Sequence, residues 1–149
     1  MNWRHVLGVL AGVVIVFVLT LVIGLIIGIV LAIFLTEQGA SAHQAVGQMD
    51  MAHLSTSLPI LLLSLGVGSF IVLLGGLLAG WIAGTGQVMT GLATGIVSTL
   101  LSFPLFFLHP YPLWYEVVAI VLTIGPAAMG GYVARILASL RRVPLPAAS

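Results

Sequence analysis

The chain has 149 residues, 61% of them hydrophobic and only 5% charged, so it lacks the polar surface that keeps a soluble domain of this size dispersed, and lipid is its expected solvent. A formal net charge of +1, with no lysine at all, leaves no clustered basic surface for a phosphate backbone and excludes nucleic acid as a partner. The absence of cysteine removes disulfides, thiolate metal sites, iron–sulfur ligation and thiol catalysis together.

Arg4 precedes the first apolar run, Val6 to Leu35. Ala40-Ser41-Ala42 after it imitates a signal-peptide cleavage site, but a run of thirty residues is about twice the upper length of a signal core, so a retained membrane helix is expected. At 1.5 Å per residue it would reach roughly 45 Å, and it must tilt or project beyond a hydrocarbon core of about 30 Å. The loop from Thr36 to Ser57 is long and polar. Within it Ala42, Ala45, Val46 and Met49 follow helical spacing after Ser41, which predicts a short amphipathic helix lying on the outer surface.

The second run, Leu58 to Ala83, starts at Ser57-Leu58-Pro59, with proline in the first turn where its missing N–H costs nothing. Gly84-Thr85-Gly86-Gln87 is short enough only for a tight turn, and its glycines supply the positive-φ positions such a turn needs. The third run is Val88 to Leu108; His109-Pro110-Tyr111-Pro112 then leads into the fourth, Leu113 to Leu140. No segment alternates apolar and polar residues, so barrel strands are excluded and helices are the consistent choice in lipid. The prediction is an all-α, single-domain integral membrane protein with four transmembrane helices arranged as two antiparallel hairpins.

All four arginines, Arg4, Arg135, Arg141 and Arg142, fall at one end of these runs, whereas Glu37, Asp50 and Glu116 fall at the other. Basic residues near span ends stay on the cytoplasmic side, which predicts cytoplasmic N- and C-termini, with the arginines as anchors. Trp3, Trp81 and Tyr132 mark the inner interface and Tyr111, Trp114 and Tyr115 the outer, in agreement. Arg135, about two helical turns inward of Arg141, is expected to snorkel to the headgroups, since no carboxylate lies on its side of the bundle.

Glycine is the most patterned residue. Gly8 and Gly12, Gly24 and Gly28, Gly76, Gly80 and Gly84, and Gly91 and Gly95 recur at four-residue spacing, the last continuing after a step of three to Ser98 and Ser102. Such stripes let helix backbones approach closely, either within the chain or against another subunit. The first two helices are the predicted partner face, with Gly80 its test position. Ten residues from Gly75 also align with ten from Gly130, suggesting a weak repeat of parallel copies related about the membrane normal.

The order Gly75-Gly76-x-x-Ala79-Gly80-x-x-Ala83-Gly84, the short turn at Thr85 to Val88, and Gly91-x-x-x-Gly95 opening the next helix resemble an uncharacterised family of small four-span bacterial membrane proteins, the YrzE-like proteins. A fainter echo lies at Gly130 to Arg135, and Trp81 stands where such proteins often carry a basic residue. The resemblance implies a bacterial plasma membrane and no established activity.

Chemistry-bearing residues collect in the outer loops. Met49-x-Met51-x-His53 offers thioether and imidazole donors suited to Cu(I), although residues two apart on a helix diverge, so these converge only in an extended or turning segment. The outer-face histidines His43, His53 and His109, of a residue type with an unperturbed pKa of about 6.5, give a pH-responsive alternative. The serines and threonines within the spans bond back to their own helices or line a pore or uncoupled carrier for a small neutral solute. No nucleophile–base pair, mid-depth ionisable group or buried histidine pair is evident, which argues against an enzyme, a proton-coupled carrier and a haem core, and no cofactor is expected. Pro126 after Gly125 should kink the fourth helix, as a static bend or as a hinge. The leading expectation is a small accessory or assembly subunit, in a homo-oligomer or a larger membrane complex.

Overall fold

The computed structural model describes residues 3–37, 58–108 and 112–140, which form four α-helices: α1 (Trp3–Glu37), α2 (Leu58–Ala83), α3 (Gln87–Leu108) and α4 (Leu113–Leu140). The all-α expectation holds, and three of these helices, α1, α2 and α4, are long and apolar enough to cross a membrane. The remaining helix, α3, has 22 residues and is interrupted by Gln87, Thr90, Thr94, Ser98, Thr99 and Ser102, which lower its apolar content. The predicted surface helix around Ala42 to Met49 lies outside the described residues.

Helix boundaries follow local chemistry. α1 starts at Trp3 rather than Val6 and continues to Glu37 rather than Leu35, giving 35 residues and a length of about 52 Å. The α2–α3 turn contains the only two positive-φ glycines among the described residues, Gly84 at 70° and Gly86 at 58°, the conformation a side chain rarely adopts. Gly84 N–H closes the end of α2 on Gly80 O at 3.2 Å, and Thr90 N–H opens α3 on Gly86 O at 3.0 Å. At the start of α4, the N–H groups of Tyr115 and Glu116 donate to Pro112 O. Glu116 lies in that first turn, where a carboxylate complements the positive end of the helix dipole.

α2 and α3 pack together and hold α1 in one groove and α4 in the other, so α1 and α4 barely meet. Gly8 lies over Ala79 and Gly12 over Gly75, hence α1 and α2 run antiparallel. Gly76 faces Ala127, and Gly80 faces Gly131 and Ala134, hence α2 and α4 run parallel. The aligned glycine pairs of the sequence repeat meet each other here, since Gly130 abuts Gly76.

Large side chains are not what fills the centre. The principal core cluster is Val16, Ile71, Val72 and Ala127, with Leu19, Ile23 and Val67 against it. Most bulky apolar residues point outward instead, among them Leu21 at 71% exposure, Phe70 at 62% and Val121 at 64%, an inside-out distribution suited to a lipid solvent. A Cβ on Gly76 would run into the backbone of Ala127, whereas one on Gly66 meets nothing within 4 Å. Gly76→Ala should therefore lower the thermal stability of the detergent-solubilised chain by roughly 1–3 kcal/mol through overpacking. Gly66→Ala should be neutral or stabilising by up to about 1 kcal/mol through helix propensity. Equal melting shifts for the two variants would contradict this packing.

Candidate functional site

Two glycine seams account for most of the stripes seen in the sequence. In the first, α1 settles between α2 and α3: Gly8 takes Ala79 and Thr90, and Gly12 takes Gly75, Ala79 and the Thr94 methyl. In the second, α4 lies against Gly76 and Gly80 of α2 and against Gly91 and Gly95 of α3. Ala127 is wholly buried at the meeting point, close to Gly76, Gly91 and Gly95 at once. Pro126 immediately precedes this clamped residue, so a hinge there would have to part three helices.

The glycines predicted as a partner face thus divide by position. Gly76, Gly80, Gly91 and Gly95 are buried against helices of the same chain, so the Gly80 face is already occupied. Gly84 belongs to the turn, where its positive φ explains it. Gly24 and Gly28 have none of the described residues within 4 Å, although they share the four-residue spacing of the other stripes. They lie on a different face of α1 from Gly8 and Gly12: Leu19 and Ile23 still pack on the core, whereas Leu21, Leu25, Ile26, Ile29 and Val30 are exposed.

A second feature is a buried polar stripe on α3. Gln87, Thr90, Thr94 and Ser98 are 7%, 3%, 0% and 2% exposed, and their spacing of three or four residues puts them on one helical face. Thr90 and Thr94 hydroxyls donate to Gly86 O and Thr90 O, one turn back along α3. This satisfies each buried hydroxyl locally and leaves the methyl free to pack over α1. Thr20, Ser69, Thr99 and Thr123 do the same on their own helices. Ser98 differs: its Oγ is buried and has no hydrogen-bond partner among the described residues.

His5 reaches this stripe across the first seam. Its Nδ1 lies 3.0 Å from Thr90 Oγ1, and its ring packs beside Gly86. Since the Thr90 hydroxyl already donates to Gly86 O, its lone pair accepts from the protonated Nδ1, tying the start of α1 to the α2–α3 turn. The sequence placed His5 only at a boundary and did not single out Thr90. The available signal was four polar residues at helical spacing, interleaved with Gly91 and Gly95, on an otherwise apolar helix. At the opposite end Ser64 Oγ and Tyr115 Oη lie 3.0 Å apart and join α2 to α4.

Of the remaining sequence candidates, Arg4 is exposed at the start of α1 and Arg135 is exposed one turn before the end of α4. Arg141, Arg142 and the Met49, Met51 and His53 set lie outside the described residues. Among the described residues no group of three or more His, Asp or Glu is placed to hold a metal ion. Comparison with family models, curated proteins and solved structures finds no match.

The His5–Thr90 tie generates a direct test. Thr90→Val keeps the volume and deletes the acceptor, so it should cost about 0.5–1.5 kcal/mol and speed hydrogen exchange in the first turns of α1. Unchanged exchange there would show that the glycine seam alone seats this end of the helix.

Proposed function

We propose that this chain is a small, non-enzymatic integral membrane protein of the bacterial plasma membrane that acts as an accessory or assembly subunit. In this reading all four helices span the bilayer, as two antiparallel hairpins with both termini cytoplasmic. Bilayer lipid surrounds the bundle, and the distal half of α1 joins a second copy or a larger membrane complex. The single observation that carries this is that Gly24 and Gly28, a small-residue stripe on one face of α1, meet none of the described residues within 4 Å. The partner face is accordingly moved from Gly80, which α4 and Gln87 cover, to the outer part of α1.

Helix association in lipid gains little from hydrophobicity, because acyl chains are as apolar as leucine. Close backbone contact is what remains, and only small residues permit it. Thr20, Ser69, Thr94 and Thr123, one on each helix, turn their hydroxyls to their own helix carbonyls, which favours packing over a pore or carrier.

Gly24→Leu with Gly28→Leu should abolish co-purification of the partner, or self-association, in gentle detergent followed by native mass measurement. Because both positions are open, the stability of the isolated chain should change by no more than about 0.5 kcal/mol, as for other substitutions that touch nothing. If the double variant assembles like the parent, the outer part of α1 is covered by lipid alone and the proposal is lost.

A further inference from the structure

A cavity of about 520 Å³ opens between the start of α3 and the end of α4, at the end of the bundle that carries Arg4 and Arg135. It is lined by Gly86, Gln87, Val88 and Met89 on one side and by Arg135 and Ala138 on the other. Its volume lies within the range of sites that take small ligands. Among the described residues, the only charged one in its wall is Arg135. Of the acidic residues in the four helices, Glu37 is the last residue of α1, at the end away from Arg4, and Glu116 lies 19 residues up the same helix as Arg135, about 28 Å away. No acid of these helices can therefore neutralise Arg135.

The facing wall is also rich in donors. The backbone ladder of α3 begins with Thr90 N–H on Gly86 O, so the N–H groups of Gln87, Val88 and Met89 precede it, and Gly86 at the cap position has no side-chain oxygen to receive them. Gln87 is 7% exposed yet lines the cavity, and its amide makes a single long bond to Gly84 O at 3.4 Å, leaving the second N–H without a partner among the described residues. A cation, uncapped amides and a buried, half-used carboxamide thus converge on one space. A bidentate arginine fork would use both oxygens of a carboxylate, whereas a phosphate has further oxygens for the amides opposite.

We propose that this cavity binds a phosphate group, held by the Arg135 fork on α4 and by Gln87 with the first-turn amides of α3. The phosphate belongs either to an anionic phospholipid headgroup or to a soluble phosphate, and the binding chemistry is the same. Occupancy would bridge α3 and α4 at the point where Gly131 already touches Gln87.

The test uses the full chain in two preparations. In the lipid arm, nanodiscs doped with phosphatidylglycerol are dissolved in mild detergent and the phosphatidylglycerol retained per chain is counted by native mass spectrometry. In the soluble arm, inorganic phosphate is titrated by phosphorus NMR into lipid-free chain in a maltoside detergent. Arg135→Gln should weaken binding roughly tenfold or more in whichever arm shows it, and Arg135→Lys should restore only part, because the charge remains and the fork is lost. Arg4→Gln removes the same charge at the same end outside the cavity and should leave binding intact. Ala138→Phe fills the cavity without changing any charge and should block it. Retention in the lipid arm alone assigns the headgroup, and saturable binding in the soluble arm assigns the free anion. Equal losses in Arg135→Gln and Arg4→Gln would reduce the effect to diffuse attraction and overturn the site, as would undiminished binding in Ala138→Phe or no binding in either arm.

Discussion

The bundle depends on backbone meeting backbone. In water a helical protein is drawn together by apolar side chains leaving solvent, but in lipid those side chains lose nothing by staying outside. What remains is dispersion between closely packed atoms, which falls off steeply with distance and so rewards the absence of a Cβ. The fold follows that rule. α1 and α4 enter the two grooves of the α2–α3 pair at Gly8, Gly12, Gly130 and Gly131, whereas leucine, isoleucine and phenylalanine are largely displayed on the outside. Ala127, at 0% exposure, lies where α2, α3 and α4 all converge, and any larger residue there would press on three helices together.

The same constraint explains how the polar residues are used. Threonine on α3 is a small branched residue with one methyl to pack and one hydroxyl to dispose of. Thr94 sends its hydroxyl to Thr90 O at 2.9 Å and lays its methyl over Gly12, so a wholly buried polar residue acts as a shaped apolar one. Thr90 takes a further role because it sits at the bundle end, where His5 can reach its lone pair. The stripe therefore changes character along its length, from hydrogen-bonded clasp at the basic end to packing surface in the middle. Ser98 has no methyl to offer and no bond for its hydroxyl, which leaves it the one loose member of the set among the described residues.

Much of the architecture was legible because two physical signals survive without tertiary context. Long apolar runs give helix existence, and Gly84 and Gly86 bracket a turn that needs positive φ, so the α2 and α3 limits came within a residue. Which stripe meets which neighbour was not legible. Gly76 and Gly80 pack on α4, more than forty residues away in sequence, and four-residue spacing looks the same whether the partner is intramolecular, another subunit or lipid. The cavity at Arg135 was hidden for a related reason. Arg135 reads as an interfacial anchor until the start of α3, with its uncapped amides, is brought opposite it by the Gly131–Gln87 contact.

α1 carries both outcomes on one rod. Its first stripe, Gly8 and Gly12, is filled by Ala79, Thr90 and Thr94, all small or β-branched, whereas its second, Gly24 and Gly28, faces none of the described residues. The difference arises because Gly24 lies twelve residues after Gly12, three turns and about a third of a turn more, so the second stripe sits on another face of α1 while Leu19 and Ile23 keep the first face on the core. A helix face turned away from the groove that holds it must either be sheathed in lipid or be met by another helix. Lipid covers leucine and isoleucine without loss, but against a glycine groove an acyl chain packs as a mobile fluid, whereas a helix with small residues packs as a solid. Any partner seated there should therefore itself present glycine, alanine or serine at four-residue spacing, and α1 meets that description, which makes a second copy of this chain a self-consistent occupant of its own free stripe.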